Sequence, residues 1–188
     1  MLIIERKSEY IDQIASMLMN KKIGVVPCDT IYGLSGVVDE EVRERLYQVK
    51  MRPKSKSFIE LWNIELLEKS GMEIPDVLYS LWPAPLTAIL NGSDGNTHAV
   101  RVPDDDFILS LIDKTGPLFS TSVNISGEES LTHESDIEKR FSSVVDFMVT
   151  SKKTEGKGLP STLVDMTKRP FKVLRVGAFD PALFGSLV

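Results

Sequence analysis

Short apolar runs, each stopped by a proline, a glycine or a cluster of hydroxyls, recur along most of this chain. Such runs are too short to span a bilayer and fit the strands of a sheet whose ends carry polar loops. Five of the stops share a bias: Val26-Pro27-Cys28-Asp29-Thr30-Ile31-Tyr32-Gly33-Leu34, Lys50-Met51-Arg52-Pro53-Lys54-Ser55-Lys56, Trp82-Pro83-Ala84-Pro85-Leu86-Thr87, Ser120-Thr121-Ser122-Val123-Asn124-Ile125-Ser126-Gly127 and Pro160-Ser161-Thr162-Leu163-Val164-Asp165. Lys and Arg supply charge, and Ser, Thr and Asn supply short hydrogen bonds. Gly and Pro shape a backbone that can approach a phosphate closely. One such segment is an ordinary loop; five along one chain suggest a composite site.

Between the stops, the periodicity predicts the elements. Residues 2–4 read as a strand. Ser8 can cap a helix that places Ile11, Ile14, Ala15 and Leu18 on one face. Residues 23–26 form a strand stopped by Pro27. Asp39 can cap a second helix with Val42, Leu46 and Val49 inward; it ends near Lys50, because Arg52 precedes Pro53 and is pushed toward an extended backbone. Residues 58–62 read as a strand, and Asn63 caps a short helix. Strands at 86–90 and 99–102 pair as a hairpin through the turn at 91–96. A helix at 104–115, a strand at 118–122, a helix from Ser135 to Phe141 and strands at 144–149, 162–166 and 171–176 complete the reading. The polar stretch 151–158 reads as a mobile loop. The pattern implies one α/β (α+β) domain over residues 1–188 with a mixed sheet. Such sheets bind ligands where loops leave the strand ends.

With 42% hydrophobic and 26% charged residues, the chain has the make-up of a soluble globular protein. Met1 to Lys7 is too short and too soon charged for a signal peptide, so a cytoplasmic protein without membrane partners is expected. Cys28 is the only cysteine, which rules out an intrachain disulfide and argues against a Cys-based zinc site. His98 and His133 are too few for a His-rich metal site, and no resident metal is expected. A Ser-His pair is not excluded by counting, but no Gly-x-Ser-x-Gly elbow precedes either histidine. The net charge of −5 is opposite to that of a protein whose main task is gripping nucleic acid backbone.

Each segment has a plain alternative. Thr30 can hold a polar ligand by its hydroxyl or bond its own backbone in a turn. Cys28 reads as small buried filler rather than a nucleophile, since neither histidine is near it in sequence. Lys50, Arg52, Lys54 and Lys56 would share one side of an extended stretch, where they either repel one another in solvent or meet an anion such as a triphosphate. Trp82-Pro83-Ala84-Pro85 reads as stiff architecture. Arg101, between Val100 and Val102, faces either solvent or a carboxylate it clamps. Ser122 and Asn124 alternate toward one side, as ligand contacts or as a Ser-rich turn. Ser161 and Arg175 are unremarkable alone.

Taken in order, these segments resemble the YrdC-like family, the threonylcarbamoyl-AMP synthases. That family's patterns are approximately Pro-Thr-Asp-Thr-x-Tyr-Gly-Leu, Lys-x-Arg-Pro-x-x-Lys-Pro, Trp-Pro-Gly-Pro-x-Thr, Arg-Val-Pro, Ser-x-Ser-Ala-Asn-x-Ser-Gly and Pro-Ser-Thr-Val-Val-Asp, and their counterparts here run in the same order from Ile23 to Arg175. The resemblance implies an open twisted sheet flanked by helices, with a concave basic cleft. It also implies a reaction in which L-threonine, bicarbonate or CO2, and ATP give threonylcarbamoyl-AMP and pyrophosphate. A partner threonylcarbamoyl transferase machinery then acts on tRNA. By position, Arg52, Lys56, Asn124 and Arg175 would hold ATP, with Thr132 a further nucleotide contact. Thr30, Arg101, Ser122 and Ser161 would hold threonine, and Lys50 would face the phosphates with the catalytic cations Arg52 and Lys56. Mg2+ would ride on ATP. Four positions depart from the pattern: Cys28 for Thr, Ser57 for Pro, Ala84 for Gly and Val123 for Ala. Val123 would tighten the adenine or phosphate pocket, and Cys28 would remove a hydroxyl beside Thr30. The resemblance is to the short form, without the further C-terminal domain of longer relatives. Two other readings stand beside the synthase: an RNA-binding module, for which weak RNA binding is the expectation, and a nucleotide-binding regulator with a degenerate site.

Overall fold

The computed structural model describes residues 1–151 and 158–187; most of the stretch read as a mobile loop, residues 152–157, lies outside the described residues. In chain order the elements are β1 (Leu2–Glu5), α1 (Ile11–Met19), β2 (Gly24–Pro27), β3 (Tyr32–Val37), α2 (Glu40–Lys50), β4 (Ile59–Leu61), α3 (Ile64–Glu68), α4 (Val77–Leu81), β5 (Leu86–Asn91), β6 (Thr97–Arg101), α5 (Asp106–Thr115), β7 (Leu118–Ser122), α6 (Glu134–Phe141), β8 (Phe147–Thr150), β9 (Thr162–Asp165) and β10 (Lys172–Arg175). One ten-stranded sheet runs in the order β1-β8-β2-β3-β7-β4-β6-β5-β9-β10. It is mixed: β8 is parallel to both β1 and β2, β4 is parallel to β6 and β5 to β9, while the other neighbours are antiparallel.

Alternation along the strands builds the layers. Phe147 and Val149 of β8 pack with Ile14, Leu18, Ile108 and Leu111 of α1 and α5. Met148, between them, packs on the opposite face with Val42 and Leu46 of α2 and Ile137 and Phe141 of α6. The strand period of two thus covers this half of the sheet on both faces. A third cluster joins Leu67 of α3 and Leu78 of α4 to Leu86, Ala88, Val100 and Val164.

The caps follow the sequence closely. Asp39 accepts from the backbone N of Glu41 and Val42, and Asn63 accepts from that of Leu66. Helix α2 stops at Lys50 because Met51 turns left-handed, with φ 49° and ψ 42°, and its N–H folds back to Tyr47 and Gln48. Other boundaries move. Ser8 starts a 3-10 turn (Ser8–Tyr10) instead of capping α1, α6 starts at Glu134 behind His133, and β8 starts at Phe147. Helix α4 and strand β3 went unread. Strand β3 reads as a turn because Gly33, Ser35 and Gly36 carry no strand-forming side chain. Yet it lies between β2 and β7, and a Cβ at Gly33 would stand 2.5 Å from the Ser120 hydroxyl. Close approach of neighbouring groups, rather than β-propensity, dictates the small residue there.

Candidate functional site

Arg101 ends β6, and its guanidinium is buried among fixed acceptors. Nη1 donates to the Thr30 hydroxyl at 2.9 Å, Nε donates to the Ala84 carbonyl at 3.3 Å, and Nη2 donates to the Asp29 carboxylate. The loop between β2 and β3 therefore reaches β6, although β7 and β4 lie between them in the sheet. Asp29 is the residue that sequence reasoning passed over. It answers the Arg101 charge, accepts a hydrogen bond from the Cys28 thiol at 2.9 Å and accepts from the Asp104 backbone N at 3.3 Å. A buried arginine needs a carboxylate partner, and Asp29 inside the Thr30 segment was the signal that could have found it.

Ala84 and Pro85 extend this site to the next strands. The Ala84 N donates to the Val102 carbonyl, and the Pro85 carbonyl accepts from the Thr162 N at 3.0 Å. Ser161, just before β9, is buried with its hydroxyl 2.7 Å from that of Thr87. Its carbonyl accepts from Nε and Nη2 of Arg175 at 3.2 and 2.8 Å. Trp82 is the expected anchor: it is buried, and its indole N–H bonds the Leu86 carbonyl at 2.8 Å.

Ser122 ends β7, paired in register with Gly33, so it lies beside the loop that carries Thr30. Its hydroxyl donates to Asn124 Oδ1 at 2.7 Å, and Asn124 Nδ2 donates to the Glu128 carbonyl at 2.6 Å. Leu131 N bonds the Val123 carbonyl at 2.9 Å, which brings the exposed Thr132 next to this turn. Val123 does not shape a pocket: it is fully buried in the core with Tyr32, Phe119 and Ile137.

The four cations of the basic segment do not share one side, because α2 includes the first of them and a left-handed residue follows. Lys50 turns inward, 1% exposed, instead of facing out toward phosphates. Its ammonium donates to the Ser122 carbonyl, to the Asn124 carbonyl at 3.1 Å and to Asn124 Oδ1 at 2.7 Å. Burial, with some repulsion from Arg52, pushes its pKa down to about 8. Lys54 leaves the group for Glu44 at 2.7 Å. Arg52 is held by the Lys56 and Ser57 carbonyls at 3.0 and 2.8 Å and sits 5.3 Å over the Phe58 ring. The carbonyl at position 57 makes this contact, so Ser in place of Pro keeps it. Among the described residues, neither Arg52, Lys56 nor Arg175 pairs with a carboxylate. Burial, first, raises the Cys28 thiol well above its ordinary range, the opposite of an activated nucleophile. Among the described residues no cluster of three or more His, Cys, Asp or Glu side chains is placed to hold a metal ion, and no helix is long and apolar enough to cross a membrane.

The fold has close counterparts among solved structures. P. abyssi Sua5, in its crystal structure complexed with L-threonine, superposes on all of this chain with a TM-score of 0.90 at 29% identity, and the chain spans 61% of that protein. E. coli YciO shares the fold with a TM-score of 0.81 at 21% identity, and here the chain spans 98% of the other. The threonylcarbamoyl-AMP synthase of Bacillus subtilis (strain 168) is 28% identical over 188 residues, 89% of this chain and about half, 53%, of that enzyme. The family model for the Sua5, YciO and YrdC proteins, described as "Telomere recombination", matches residues 16–177. With that match running from α1 to the residues just past β10, the chain belongs to the Sua5/YciO/YrdC family.

Proposed function

We propose that this protein makes threonylcarbamoyl-AMP from L-threonine, bicarbonate or CO2, and ATP, releasing pyrophosphate, for the threonylcarbamoyladenosine modification of tRNA. The observation that carries the reading is the division of polar groups. Around the buried Arg101 stand the buried Thr30 and the half-buried Asp29, a set suited to the carboxylate, hydroxyl and ammonium of a small amino acid. Arg52, Lys56 and Arg175 are cations without a carboxylate partner among the described residues, suited to a polyphosphate. The likeness to a Sua5 that binds L-threonine supports the first half of this division.

The chemistry asks for placement and charge, not a covalent nucleophile. The threonine amine adds to CO2 and loses a proton, giving a carbamate. A carbamate oxygen attacks the α-phosphorus of ATP and pyrophosphate leaves. Arg101 has five N–H donors, of which three are engaged, so two remain for the threonine carboxylate. Arg52 and Lys56 offset charge on the triphosphate, with Mg2+ entering as part of the nucleotide substrate. Asn124 and Arg175 complete the nucleotide side, with Thr132 at its rim, and Ser122 and Ser161 complete the threonine side.

Pyrophosphate release that requires both threonine and bicarbonate is the expected result. A second reading, a nucleotide-binding protein without this chemistry, draws on the inward turn of Lys50, which leaves one cation fewer for phosphates. It predicts ATP binding with no pyrophosphate release under any combination of the three substrates.

A further inference from the structure

We infer that Lys50 is a positioning residue that locks Ser122 and Asn124 in their ligand-facing orientation and does not itself touch substrate. The inference rests on the reading that those two side chains contact the ligands. An ammonium has three N–H donors, and here three acceptors surround it: the carbonyls of Ser122 and Asn124 and the Oδ1 of Asn124. No donor is left for a phosphate oxygen, and the side chain is sealed from solvent.

The lock fixes the polarity of what the site presents. Asn124 Oδ1 is filled by two donors, Lys50 and the Ser122 hydroxyl. Its amide nitrogen must therefore face the other way, giving one N–H to the Glu128 carbonyl and leaving the second for a ligand acceptor. Ser122, having given its proton inward, offers lone pairs outward. A neutral amine cannot hold this pattern. With two N–H groups and a lone pair, it would point the lone pair at an oxygen. The charged groups around Lys50 are few: Arg52 on the following segment opposes its charge, and among the described residues no carboxylate pairs with it. Glu128, on the same turn as Asn124, turns its carboxylate to Arg140.

Two measurements separate positioning from contact. In protein carrying 15N-labelled asparagine, the Asn124 side-chain amide, assigned by its loss in Asn124→Asp, is followed against pH. It should shift with a midpoint near 8 in the wild type. In Lys50→Arg the guanidinium stays charged, and that titration should vanish. In Lys50→Met, kcat for pyrophosphate release should fall about 100-fold, the scale of a misplaced reacting group, while ATP affinity by calorimetry falls no further than it does in Asn124→Ala, because Lys50 acts through that side chain. An Asn124 amide that ignores both pH and Lys50→Met overturns the inference. So does a Lys50→Met enzyme whose main loss is ATP affinity with the Asn124 signal unmoved. If the wild type releases no pyrophosphate at all, the synthase reading fails alone, and the Asn124 signal still decides what Lys50 does.

Discussion

At the scale of single residues, the site divides into side chains whose identity was readable and contacts that were not. Arg52, Arg101, Ser122 and Asn124 stood out in the sequence as charged or hydrogen-bonding side chains in polar segments, and only the family resemblance gave each an expected ligand. Their partners were invisible because they come from far along the chain: Asp29 and Arg101 are 72 residues apart, and Lys50 and Asn124 are 74 apart. Two predictions belong here. Arg52→Ala removes a charged donor held against two carbonyls and an aromatic ring, and should cost about 1.5–3 kcal/mol of ATP binding or transition-state stabilisation. Calorimetry and turnover that are both unchanged would remove Arg52 from the site. Arg101→Ala should raise the KM for threonine far more than that for ATP, with serine a weak substrate and valine nearly inert, because valine leaves the Thr30 side of the site unpaired. Equal pyrophosphate release with valine would show that the site does not read the hydroxyl.

At the scale of elements, helices with a strong face and a clear cap were legible, and α2 and α3 begin where Asp39 and Asn63 said they would. Strand β3 was not, because its small residues answer to crowding by neighbouring groups that the sequence does not display. The same crowding makes a testable point at Gly24 of β2, where an added Cβ would lie 2.4 Å from the buried Phe147 ring. Gly24→Ala should destabilise the protein by about 1–3 kcal/mol, read as a lower Tm. An unchanged Tm would mean that β2 and β8 can move apart. The β5–β6 hairpin carries its own pH signature. His98 reaches Glu60 at 3.1 Å and Asp94 at 3.2 Å. Burial alone would lower the pKa of the ring, but these two carboxylates outweigh it and raise it. A raised folded pKa means the stabilisation is full below the unfolded value of about 6.5 and fades as pH climbs through the folded one. His98→Gln should therefore lower Tm clearly near pH 5.5 and hardly at all near pH 9. An equal loss at both would make the pairing irrelevant to stability.

At the scale of the whole molecule, the mixed sheet was legible as a class, but its strand order was not. Local patterns say which segments are strands, whereas the neighbours of β8 and β7 are chosen by packing across the full chain. Thr150 on β8 bonds the Ile4 carbonyl on β1, 146 residues earlier. The first strand to leave a ribosome thus waits for one of the last before it has a neighbour. Thr30 has no arginine, and Lys50 no asparagine, until most of the polypeptide exists. During synthesis the half-made chain carries no half-made site, so translation that stops early should yield fragments with no residual ligand affinity.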